Sequence, residues 1–267
     1  MNFMIKVLVS GACGRMGKEV VNAVNEAADM ELVGAVDIVN IGEDIGKIAL
    51  GQENGIKISN DLTKTIKSLK PDVVVDFTQP NSAFSNAKSI LEAGARPVIG
   101  TTGLKDEQIE DIKQLAQKSN LSGMIAPNFT TGAVLMMMFA QMAAKYFDNA
   151  EIIEYHHNQK KDAPSGTAVK TAQLMAKVNP DLMKGNCPET ETITGSRGGT
   201  ANGKIHVHSV RMPGYMASQE VLFGSTGQIL SIRHDSVDRK CYMPGVLLAI
   251  RYVMDNNKFI YGLDNIL

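Results

Sequence analysis

Tryptophan is absent from the sequence, and cysteine occurs only three times, as Cys13, Cys187 and Cys241. An odd number so widely spaced makes neither a disulfide framework nor a metal-ligand spacing. It fits a reducing compartment, and no metal site is expected. An excess of one charge is missing too: 27 basic against 28 acidic residues leave a net charge of -1. With no long run of one sign, the chain shows neither a nucleic-acid footprint nor a membrane-binding stripe. The longest uninterrupted apolar run, 133–140, is too short to span a bilayer. The opening MNFMIKVLVSGAC could pass for a signal peptide, but its apolar core is brief and a glycine-rich turn follows. A lipoprotein cleavage site would want Leu three places before Cys13, where Ser10 stands. A cytoplasmic protein with no nucleic-acid or membrane partner is expected.

What is present is ordinary globular material: 267 residues, 44% hydrophobic and 21% charged, enough for one large domain or two modest ones. The first half alternates short apolar runs (IKVLVSG, MELVGAVD, PDVVVDFT, ARPVIGTTG) with helical spacing at 15–28, 81–93 and 105–119. Continuous apolar strands separated by helices predict a parallel sheet covered on both faces, the doubly wound Rossmann-type α/β plan. Past residue 128 the grammar changes. A Met-rich helix at 133–146 leads to the strand AEIIEYHH and a helix at about 165–178. The alternating segments KIHVHSVRM, ASQEVLFG and QILSIRHDS follow, and MPGVLLAIRYVMD closes the chain as a helix. This predicts a second, α+β domain on a mixed or antiparallel sheet. The expected division is 1–127 for the first domain and 128–237 for the second, with 238–267 packing back onto the first.

VLVSGACGRMGKEV places Gly11, Gly14 and Gly17 at the first strand-to-helix turn. Glycine is needed where the backbone turns tightly, where a phosphate approaches it and where helix packs on strand. The helix start offers free amides and a positive dipole end to a pyrophosphate. Gly11, Ala12, Cys13, Gly14, Arg15 and Met16 are the candidate cofactor residues of this loop. The spacing is GxxGxxG, a variant of the usual fingerprint, and a glycine turn by itself can be purely structural. Asp37 lies 20 residues past Gly17, at the end of the second strand, where an acid accepts hydrogen bonds from ribose hydroxyls. Ile38, Val39 and Asn40 follow, with no Arg or Lys to meet a 2′-phosphate, so NADH is expected to serve at least as well as NADPH. Two further strand ends, Gly100, Thr101 and Thr102 in GTTG and Ala126, Pro127, Asn128 and Phe129 in APNF, belong to the same sheet edge. They are either cofactor contacts or ordinary turns.

EYHHNQKKDAPSGTA, residues 154–168, concentrates proton-carrying groups before a helix start. Histidine exchanges protons near neutral pH, lysines attract carboxylates, and helix-start amides bind anions. Two adjacent histidines in a polar loop are also compatible with plain surface residues, and Ser165 with a plain helix cap.

This stretch resembles the signature of the 4-hydroxy-tetrahydrodipicolinate (dihydrodipicolinate) reductase family, E-x-H-H-x-x-K-x-D-A-P-S-G-T-A, at every fixed position. GACGRMG, GTTG and APNF are similar to that family's cofactor motifs, and GSRGG at 195–199 also fits. The resemblance implies reduction by NADH or NADPH of the cyclic imine dicarboxylate formed from 4-hydroxy-tetrahydrodipicolinate, a step of lysine and diaminopimelate biosynthesis. It implies His156 as proton donor/acceptor, Lys160 as second proton donor, and His157, Gly166 and Thr167 as substrate-binding residues. It implies dinucleotide binding by 1–127 and substrate binding and oligomerisation by 128–237. It also implies a homotetramer built through the second domain's sheet, for which KIHVHSVRM reads as a plausible edge. Two departures stand out: Ile38 occupies a place where some members carry Arg, and Gln159 one where some carry a third basic residue. Rival readings are another two-domain Rossmann enzyme, such as a semialdehyde dehydrogenase, which needs a nucleophilic cysteine, or an amino-acid dehydrogenase, and a non-catalytic nucleotide-sensing or regulatory protein, which needs no proton donor.

Overall fold

A computed structural model describes residues 4–183, 187–202 and 204–267. In chain order the elements are β1 (Ile5–Ser10), α1 (Arg15–Glu26), β2 (Met30–Val36), α2 (Ile45–Ala49), β3 (Ile58–Ser59), α3 (Leu62–Leu69) and β4 (Val73–Asp76). Then come α4 (Pro80–Glu92), β5 (Arg96–Ile99), α5 (Asp106–Lys118), β6 (Gly123–Ile125), α6 (Thr131–Ala143) and β7 (Asn149–His156). The chain continues with α7 (Gly166–Val178), β8 (Gly199–Ala201), β9 (Ile205–Arg211), β10 (Ala217–Ser225), β11 (Gln228–Ser236), α8 (Met243–Asp255) and β12 (Phe259–Tyr261). Two compact units result: Met1–Thr131 with Tyr242–Leu267, and Gly132–Cys241.

The first unit is a seven-stranded sheet in the order β12-β6-β5-β4-β1-β2-β3, with every pairing parallel. Its central strands are apolar on both faces because helices cover both. Val73, Val74 and Val75 of β4 are all fully buried, as the VVVD run predicts. One cluster packs Leu8 and Val74 of the sheet against Ala87 and Ile90 of α4 and Ile112 of α5. The strand order reverses between β1 and β4, which opens a crevice at the strands' carboxyl ends. All the loops named above as cofactor candidates leave from those ends.

The second unit carries a five-stranded sheet, β11-β10-β7-β9-β8. Of the mixed or antiparallel forms expected, the mixed one is found. β10 runs antiparallel to β7 and β11, while β7 and β9 are parallel. The reason is the α7 crossover, since parallel strands need a helix-length connection rather than a hairpin. Ile152, Val207, Val221 and Phe223 of the sheet pack on Ala140 of α6 and Ala168, Ala172 and Met175 of α7. KIHVHSVRM is not an edge: β9 is flanked by β7 and β8. Three residues, Gly199–Ala201, cover its far side, too short a strand to show any period in the sequence. β8 and β11 are the edges.

Candidate functional site

In the first unit, the glycine turn is locked by backbone contacts that leave no room for side chains. Gly11 has φ +76°, and a Cβ there would come 2.5 Å from Phe77 O. A Cβ on Gly17 would sit 2.0 Å from Gly11 O, so α1 packs directly on the loop that precedes it. Gly11 N and Ala12 N both donate to Val36 O, at 2.9 and 3.2 Å. Gly14 is the N-cap of α1, and no side chain caps the helix's first turn. Helix-start amides left open in this way suit an anion. Arg15 is exposed beside them.

Asp37 braces that loop. Its Oδ2 accepts from Cys13 N at 2.8 Å, and its Oδ1 accepts from Ile38 N at 2.7 Å and Val39 N at 3.3 Å. A carboxylate offers about four lone-pair sites, so acceptor capacity remains for ribose hydroxyls. Ile38 is 85% exposed and brings no charge beside it. Burial first, and then the charge of Asp37, pushes the Cys13 thiol up from its ordinary value. A raised thiol is a poor nucleophile, which weighs against a cysteine-based dehydrogenase.

The other candidates on this edge divide into buried and open ones. Thr101 is buried, with Oγ1 donating to Asp76 Oδ1 at 3.0 Å, and Thr102 is exposed. Gly100 donates to Asp76 O at 2.9 Å, and a Cβ on it would strike the Phe77 ring at 2.1 Å. Ala126 N donates to Ile99 O at 3.0 Å, Pro127 is exposed, and Asn128 Oδ1 accepts from Thr130 N at 2.8 Å. Phe129 is buried with its ring centroid 5.9 Å from that of Phe77. Asp76 and Phe77 were not singled out in the sequence. The signal available was an acid closing an otherwise apolar VVVD run; Asp76 is fully buried and also holds Thr78 and Asn86.

In the second unit, His156 ends β7 and His157 begins an exposed loop. His156 Nδ1 is hydrogen-bonded to Glu154 Oε2, and the Glu154 side chain is completely buried. Arg211 grips the same carboxylate with both terminal nitrogens, at 2.9 and 2.7 Å. Lys160 Nζ sits 2.8 and 2.9 Å from the two oxygens of Asp162, while Lys161 is exposed. Ser165 caps α7 by accepting from Ala168 N at 3.2 Å. The Gly166 and Thr167 amides at that helix start make no hydrogen bond among the described residues, so two donors remain for an anion. His206 and His208 point to the opposite face, where His208 Nε2 lies 2.8 Å from Glu151 Oε2 and His206 Nδ1 lies 2.8 Å from Arg197 O.

Burial by itself would raise the Glu154 carboxyl, but hydrogen bonds from His156, Arg211 and Ser209 outweigh it and bring it down to about 2 from an ordinary 4.5. A folded value below the unfolded one means the stabilisation is complete above pH 4.5 and is lost as pH falls through about 2. At about 1.4 kcal/mol per unit, the whole effect is about 3 kcal/mol. Urea unfolding of wild type and E154Q should therefore show a stability gap that narrows by about that amount across this window. A gap independent of pH would contradict it.

No group of three His, Cys, Asp or Glu among the described residues is arranged to hold a metal ion. No helix among them is long and apolar enough to cross a membrane.

Comparison with known proteins covers both units. Residues 5–129 match the family model described as Dihydrodipicolinate reductase, N-terminus, and 132–267 match Dihydrodipicolinate reductase, C-terminus. The 4-hydroxy-tetrahydrodipicolinate reductase of Desulfitobacterium hafniense is 50% identical over 264 residues, covering 98% of both chains. That of Gloeothece citriformis is 49% identical over 269 residues, with 98% of both covered. A solved dihydrodipicolinate reductase from Paenisporosarcina sp. TG-14, with dipicolinate bound, superimposes with TM-score 0.90 at 45% identity over 99% of this chain and 100% of that one.

Proposed function

The chain belongs to the dihydrodipicolinate reductase family, and from that premise we propose how its residues share the reaction. The activity is NAD(P)H-dependent reduction in lysine and diaminopimelate biosynthesis: the cyclic imine dicarboxylate derived from 4-hydroxy-tetrahydrodipicolinate becomes tetrahydrodipicolinate. The first unit holds the dinucleotide. Gly11, Ala12, Cys13, Gly14, Arg15 and Met16 receive its pyrophosphate, Asp37 its adenosine ribose, and Gly100 to Thr102 with Ala126 to Phe129 its nicotinamide half. The residues fit such a ligand, because a turn that rejects any Cβ at Gly11 and Gly17 leads into an uncapped helix start. A bound nicotinamide supplies the hydride.

The second unit supplies everything else. Reduction of a C=C–C=N system leaves a carbon needing a proton, and on this reading His156 donates it. The single observation that carries this reading is the bond from Nδ1 to buried Glu154. A carboxylate only accepts, so Nδ1 carries the donated hydrogen and Nε2 is left to exchange protons. Lys160, His157 and the free amides of Gly166 and Thr167 bind the anionic substrate, with Lys160 also able to donate a proton. On the same reading, 1–127 with 238–267 forms the cofactor domain and 128–237 binds substrate and assembles into a homotetramer. The outer edge of β11, which pairs with no other strand among the described residues and where Ile229 is 81% exposed, supports assembly. A cytoplasmic setting is supported by three cysteines without a disulfide.

Cofactor choice follows from the pocket's charge. The Asp37 carboxylate repels a 2′-phosphate, and exposed Ile38 offers nothing to neutralise it. NADH should therefore be used at least as well as NADPH in steady-state turnover coupled to a synthase that makes the unstable substrate. A preference for NADPH above roughly tenfold, about 1.4 kcal/mol, would overturn this assignment of the pocket.

A further inference from the structure

Reading His156 as the proton donor leaves open what fixes its ring and what fixes the loop bearing Lys160. We infer that Glu154 and Arg211 form a positioning pair for both. Glu154 holds His156 through Nδ1; Arg211 holds Glu154 on one side and the Lys160 loop on the other.

The arrangement follows from strand register. β7 and β9 are parallel, with His156 opposite Arg211 and Glu154 opposite Ser209. Alternate residues share a face, so these four side chains gather on one side of the sheet. The guanidinium fork spends both terminal nitrogens on Glu154, at 2.9 and 2.7 Å, and one of them also donates to Asp162 O at 2.7 Å. Asp162 is the residue whose carboxylate holds Lys160, at 2.8 and 2.9 Å. Arg211 thus reaches His156 through one acid and Lys160 through another. Among the described residues its side chain is hydrogen-bonded to neither His156 nor Lys160, so it acts through the two acids as a positioning residue.

Stability alone does not explain this device. A buried ion pair contributes little net stabilisation compared with apolar residues of the same volume. A carboxylate on one imidazole nitrogen, in contrast, fixes the tautomer and turns the other nitrogen to its task. His156 Nε2 has no partner among the described residues. Among the described residues, the charged or titratable groups tied to His156 by bond or register are Glu154 on its own strand and Arg211 opposite it on β9, with His157 next in the chain and Lys160 and Asp162 farther along the loop. Its register neighbour on β10, Ala217, and that of Glu154, Gln219, are uncharged, and α7 contributes Thr171, bonded to Gln219. Of these groups Glu154 is the one hydrogen-bonded to the His156 ring, and Arg211 is the one hydrogen-bonded to Glu154.

The test is the pH profile of kcat/KM, measured with NADH and synthase-generated substrate, for wild type, E154Q, R211M and the double variant. E154Q removes the anion that steadies the imidazolium, so the alkaline limb should move to lower pH and kcat should fall at least about tenfold, as when an orienting carboxylate is lost. R211M removes a neighbouring cation, so its limb should move to higher pH. NADH affinity should be unchanged in both. The double variant leaves no buried charge unpaired, so it keeps the test decisive if a single variant fails to fold. It too should lose at least about tenfold in kcat. Profiles that superimpose on wild type with kcat within about twofold, in any folded member of the set, would overturn the pair's role. The assignment of His156 itself stands or falls separately, on H156A.

Discussion

A Gly17→Ala protein is expected to lose at least tenfold in NADH affinity and about 3 kcal/mol of stability, the upper end for forcing an added carbon into a packed site. The added Cβ would lie 2.0 Å from Gly11 O and 2.8 Å from Ala12 Cα. Both are backbone atoms, so no rotamer change relieves the clash; α1 must withdraw from the loop. Gly11 N and Ala12 N are anchored on Val36 O and Cys13 N on Asp37, so the loop cannot follow the helix without releasing β2. The helix-start amides and the Asp37 carboxylate then lose their common geometry, which a single dinucleotide must span. Fluorescence titration with NADH, together with urea unfolding, reads both effects. Affinity within about threefold of wild type would mean that this loop does not carry the cofactor.

His156→Ala is the second large effect. Removing a general acid should lower kcat by about 10²–10⁴-fold. Lys160→Ala should differ in kind. Its ammonium binds the anionic substrate as well as donating, so KM should rise while kcat falls. Lys161→Ala should do little, because that side chain is exposed in the loop. If His156 and Lys160 were ordinary surface residues, both alanine variants would turn over near the wild-type rate with at most a small change in stability.

How much of this was legible in the sequence depends on whether a signal is local. The glycine turn, Asp37 and the HHNQKKDAPSGTA loop are contiguous motifs, and their chemistry can be read from the residues themselves. The sheet of the first unit follows from apolar runs, because buried parallel strands show continuous hydrophobicity. β3, β8 and β12 were not readable, since two or three residues display no period. For that reason KIHVHSVRM reads as an edge in the sequence, whereas in the fold Gly199–Ala201 lies beside it. Arg211 gave no sign at all. It lies 57 residues from Glu154, and only the parallel register made by the α7 crossover brings the two together. Asp76 was visible as the acid ending VVVD, yet nothing local says that it would be fully buried and hold Thr101.

The central claim is that reductant and proton are supplied by separate parts of the chain. The most direct measurement takes one folded His156→Ala sample and determines both its NADH dissociation constant and its kcat. Affinity close to wild type beside a kcat lowered by about 10²–10⁴-fold is the result expected. Near-normal kcat would remove His156 from the chemistry, and loss of NADH binding together with turnover would contradict the separation itself.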